Sequence, residues 1–163
     1  MEEQVKKWME KVEGLRKEKI DLSRDEDLSI ALMNLISLEE HFYFTAMKTN
    51  DQKYLDMLSS VRELRKKLLG KIVVNPQGEE WCISKHLLAS SMRLIEVGTK
   101  ELSKNNMKDA NMFFVSAFDL YSMFFAINLK VIDSKKMEVV KESEGFSKRF
   151  SNMIKKVLDC CKE

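Results

Sequence analysis

Two histidines and three cysteines supply most of the soft-ligand and nucleophile chemistry this chain offers. Cys82 and His86 stand four residues apart, and on a helix that spacing projects both from one face, as two ligands of a tetrahedral zinc set would require. The other two ligands would have to come from elsewhere, with His41, Glu39 and Glu40 as available donors. The pattern stops short of a metal site: there is no CxxC, no HExxH and no Glu-x-x-His of the di-iron kind. Cys82 and His86 also align with Arg93 and Lys100, which reads as a partly solvated polar strip. No metal and no cofactor are therefore expected, with Cys82, His86 and His41 as the candidates if a metal does bind.

Charges that interrupt apolar stripes are the next place to look for chemistry. Glu39 falls within about 40° of the centre of one helical stripe, and Arg65 falls in the next stripe, seven residues after Leu58 and seven before Ile72. An unpaired charge in a core costs several kcal/mol, so each residue needs a partner or a place at the rim. Helices joined by a short loop are usually antiparallel neighbours, so a buried Glu39–Arg65 ion pair is geometrically reasonable; the alternative is that one or both side chains reach out to solvent, as arginine does easily. Asp119 lies on an otherwise apolar helix, on a strip with Met112, Ser116 and Met123. A carboxylate there either has its pKa raised for acid–base work or meets a cation at a helix junction. Asn128 sits on the strongly apolar side of that helix and needs hydrogen-bond partners if buried.

Other chemistries lack their residues. Neither GxGxxG nor GxxxxGK[ST] occurs, so the common phosphate-cradling loops are missing. No nucleophile-elbow pattern surrounds a serine. The basic run Arg62, Arg65, Lys66, Lys67 and Lys71 points in several directions around a helix and has no interleaved aromatics, so nucleic acid is not an expected partner. No catalytic residue is assigned.

The elements that position these residues are helices. The chain has 163 residues, 44% apolar and 33% charged, with five glycines and one proline, a composition suited to one cored domain and poor in turns. Its 28 basic residues against 26 acidic ones leave a net charge of +2. Val5, Trp8, Met9, Val12 and Leu15 mark a first helix. Ser23 and Glu26, spaced as a capping box, open a second, with a stripe from Leu28 through Leu35 and Phe42 to Ala46. A third carries Tyr54, Leu58, Val61, Leu68 and Ile72, and Asn75–Gly78 is the clearest turn. A fourth is expected over 79–104 and a fifth, apolar almost all round, over 107–131. The sixth holds Phe146, Phe150, Met153, Ile154, Val157 and Leu158. The expected fold is all-α: a single six-helix, bundle-like domain over 1–163 with a central apolar fifth helix.

Residues 112–127 fall short of the roughly 20 needed to cross a bilayer and contain Asp119, so no membrane association is expected. An odd cysteine count (Cys82, Cys160 and Cys161) and a charged N-terminus point to the cytoplasm.

Between Leu94 and Ser122 the spacing Leu94, Val97, Gly98, then Ala110, Phe114 and Ala117, resembles a single tetratricopeptide repeat. That resemblance implies a tight hairpin in which Gly98 and the alanines let two backbones approach while Phe114 fills the gap. Glu101 stands where the family has an aromatic, Asn105 where a turn glycine is common, and Ser122 where the terminal proline falls. No second copy occurs at the repeat's offset. The same region is also similar to the nucleotide-binding helical domains of higher eukaryotes and prokaryotes. The Arg-then-His spacing of their ribonuclease members precedes neither His41 nor His86.

Two function classes follow. The expected one is a non-catalytic adaptor or oligomerisation domain that binds another protein or itself, through a face of the fourth helix bearing Trp81, Leu88, Met92 and Ile95. Eleven methionines suit such adaptable surfaces. The alternative is a small helical-bundle enzyme or metal-binding protein using Glu39, His41, Cys82, His86 or Asp119. Convergence of those side chains on one pocket separates the two.

Overall fold

A computed structural model describes residues 7, 10, 11, 13, 14 and 21–131. Within this range lie four α-helices and no strand: α1 (Ser23–Thr49), α2 (Gln52–Leu69), α3 (Glu80–Ser103) and α4 (Met107–Asn128). The expectation of six helices around a central fifth is thereby corrected. The segment expected as the sixth helix lies outside the described residues, as does most of the first, and Cys160 and Cys161 lie outside them too.

The helix ends show local chemistry at work. The capping box does not form: Ser23 donates instead to Asp21, through its N–H at 3.0 Å and its hydroxyl at 2.6 Å, and Leu22 occupies the N-cap. Asn50 closes α1 in the left-handed region at φ 53°, its N–H bonded to the Ala46 carbonyl. Asparagine tolerates this conformation better than most side chains. Asp51 caps α2 by accepting the Lys53 N–H. After α2 the chain leaves the helix through turns, so Ile72 and Val73 enter the core from a non-helical segment.

The helices form two antiparallel hairpins, α1–α2 and α3–α4, which meet chiefly through α1 and α3. In the second hairpin, Ser84 meets Asn128, Ser91 bonds to the Ala117 carbonyl, and Gly98 faces Phe114. A Cβ built on Gly98 would lie 2.7 Å from the Phe114 ring, far inside contact distance. Glycine is therefore what allows this crossing.

One core lies where the hairpins join. Leu32, Met33 and Ile36 of α1 and Leu69 of α2 pack with Leu87 and Leu88 of α3 and with Phe124, Phe125 and Ile127 of α4. The α4 helix is thus not enclosed along its length. Its C-terminal half packs into the shared core, whereas Met107, Met112 and Val115 of its N-terminal half are exposed. Its N-terminal half still packs one side on α3, through Ala110 and Phe114, and leaves the other side open, so apolar residues all round the helix marked full enclosure only at its C-terminal end.

Candidate functional site

The residues that sequence chemistry singled out do not meet in one place. Cys82, His86 and His41 are exposed, and among the described residues no group of three or more His, Cys, Asp or Glu side chains could hold a metal ion. Asp119 is half-buried on α4. Asn128 donates its amide to Ser84 Oγ at 3.1 Å and to the Phe124 carbonyl at 2.7 Å, which answers its need for partners. The basic run is divided: Arg65 is turned inward and Lys66 pairs with Glu63 at 2.9 Å.

Glu39 and Arg65 do come together. Arg65 Nε lies 2.7 Å from Glu39 Oε1 and Nη2 lies 3.2 Å from Oε2, with side-chain exposures of 4% for Arg65 and 13% for Glu39. Two parallel charge-assisted bonds hold the planar guanidinium against the carboxylate. The pair bridges α1 and α2, with each group's charge met by the other.

The expected contact face on the fourth helix, now α3, is largely interior. Leu88 is fully buried, and Trp81 and Met92 are packed against the core; only Ile95 is exposed. The cover comes from the first hairpin and the turn after it: a Cβ on Gly70 would touch the Trp81 ring tip at 3.9 Å. A helix with two apolar sides needs two neighbours, and α4 and the first hairpin supply both.

An apolar surface lies instead on α1. Leu32, Met33 and Ile36 are buried in the core. Eleven residues further on stand Tyr43, Phe44 and Met47, displaced by three turns and only about 20° around the helix. The second triplet therefore continues the face of the first, yet its members are 49%, 58% and 58% exposed. Between the triplets Glu40 pairs with Arg93 of α3 at 2.7 Å, linking the two hairpins at the edge of this surface. Tyr43 and Phe44 meet edge to face, with ring centroids 5.2 Å apart, so the two aromatics present one joined surface. The single α1 stripe read from sequence followed Phe42 and Ala46 and passed this triplet by. The eleven-residue recurrence of an apolar triplet was the signal that marks it.

By length and composition alone, α4 is apolar enough to cross a bilayer, a test that the core helix of a helical domain also passes. Phe124, Phe125, Ala126 and Ile127, near its C-terminal end, are buried among the other helices. No protein-family model, curated protein or solved structure matches the chain, so nothing beyond its own residues bears on the repeat-like and nucleotide-binding resemblances of residues 94–122.

Proposed function

We propose that this chain is a non-catalytic helical interaction domain that works through the open half of α1, with the repeat-like α3–α4 hairpin as its scaffold. The observation that carries this reading is the continuation of the buried triplet Leu32, Met33 and Ile36 into the exposed triplet Tyr43, Phe44 and Met47. Exposed aromatics and methionine at the end of a core-forming face make a surface suited to burial by a partner. Exposed methionines on three helices, Met47, Met57, Met107 and Met112, add adaptable apolar area. A cytoplasmic site of action fits the odd cysteine number and exposed Cys82.

The test compares the full chain with a Tyr43→Ser, Phe44→Ser, Met47→Ser variant as bait, each capture repeated with the purified partner. The reading expects a binding partner that is retained by the native chain and lost by the variant. Identical capture by both baits, together with reproducible turnover on a metabolite panel, would overturn it in favour of an enzyme.

A further inference from the structure

We propose that the occupant of this α1 surface is a second copy of the chain, with the two α1 helices packed antiparallel about a two-fold axis passing beside Phe44. The proposal rests on the reading of Tyr43, Phe44 and Met47 as a contact surface, and adds the partner's identity from charge. Glu40 lies four residues before Phe44 and Lys48 four residues after it. Antiparallel pairing centred on Phe44 sets residue 40 of one copy level with residue 48 of the other, about 6 Å along the axis on either side of the centre. The aromatic and methionine side chains then meet in the middle, and each Glu40 faces the second copy's Lys48. The same pairing occurs twice, as an isologous interface demands.

The charges are available for this role. Glu40 is half-exposed although it pairs with Arg93 on one side, so a carboxylate oxygen can accept from a second cation. Lys48 is exposed and forms no ion pair among the described residues. It also complements the dipole at the C-terminal end of α1, a role that continues within the dimer. The apolar centre supplies the attraction, and the Glu40–Lys48 pairs select the antiparallel register over the parallel one, where Glu40 would face Glu40.

Charge reversal gives the decisive experiment, read by light scattering and sedimentation of the full chain. Native protein is expected to be a dimer at micromolar concentration. Lys48→Glu places four carboxylates around the seam and Glu40→Lys places four ammonium groups there, and each is expected to weaken self-association at least about tenfold. An equimolar mixture of the two variants matches opposite charges at all four positions, so it should recover the dimer mass as a heterodimer. Phe44→Arg should leave a monomer, with circular dichroism showing the helix content retained. Arg93→Gln, which frees Glu40 without reversing it, should keep the dimer.

A native monomer overturns the second-copy proposal while leaving the contact surface to be judged by partner capture. A native dimer unaffected by Phe44→Arg, or single-reversal variants whose mixture stays monomeric, overturns it as well. If a different purified protein binds the native monomer and is lost with Phe44→Arg, the surface is a docking site for that protein and the dimer is excluded.

Discussion

Arg65 lies against Glu39 with both guanidinium–carboxylate bonds made, one at 2.7 Å and one at 3.2 Å, in the seam between α1 and α2. Each charge is tolerated there because the other is present. Removing one leaves a desolvated charge, at a cost of about 3–5 kcal/mol when burial is complete and towards the lower end here, where Glu39 keeps slight exposure. Arg65→Met and Glu39→Leu are each expected to lower the urea midpoint sharply, whereas the double variant should unfold near the native midpoint or above it. Single variants that unfold like the native chain would show that the pair is not holding the hairpin.

Gly98 and Phe114 provide a second test. Glycine inside a helix costs about 1 kcal/mol relative to alanine, so Gly98→Ala would stabilise an open site. Here the new methyl would stand 2.7 Å and 2.8 Å from two ring carbons, and overpacking of this kind costs about 1–3 kcal/mol. The clash should win, giving net destabilisation. In a Phe114→Leu background the sign should reverse, and a double-mutant cycle measures the coupling. An equal effect of Gly98→Ala in both backgrounds would contradict the crossing geometry.

Two buried serines of the second hairpin should respond in opposite ways. Ser91 donates its hydroxyl to the Ala117 carbonyl at 2.8 Å, and Ser91→Ala is expected to cost about 1 kcal/mol. Ser122 is fully buried and its hydroxyl has no hydrogen-bond partner among the described residues. Ser122→Ala removes a desolvated polar group and should be neutral or stabilising by about 1 kcal/mol. Thermal midpoints that fall equally in both variants would reject this distinction.

Acid should loosen the turn between α3 and α4. Hydrogen bonds from Lys104, and then from Asn106, hold the Glu101 carboxyl below the ordinary glutamate range. A group whose folded pKa is depressed contributes stability above its unfolded value, and that contribution is lost as pH falls through the folded value. The NMR titration midpoint of Glu101 is accordingly expected to lie below that of an unstructured glutamate, and Lys104→Ala should raise it. The Asn106 side-chain amide, 2.8 Å from Glu101, should shift over the same pH range. A midpoint unmoved by Lys104→Ala would exclude the proposed cause.

Helix formation, and where most of the helices run, is legible in the residue order because three- and four-residue spacing is a local property of the chain. The start of α4 at Met107 and the turn at Asn75–Gly78 follow from residues adjacent to them. Glu39, Arg65, Gly98 and Phe114 also stood out from sequence alone, since a charge or a glycine within an apolar stripe is visible without a fold. Tertiary structure decided which apolar faces are covered. Leu88 and Phe44 are both large apolar side chains on helical stripes, yet one is fully buried and the other is exposed. What separates them is the placement of the hairpins: α3 lies against the first hairpin at Leu88, whereas the α1 face remains open past the Glu40–Arg93 contact. Periodicity reports that a face is apolar; the neighbour that buries it comes from residues distant in the chain, and only their packing settles how far that cover extends.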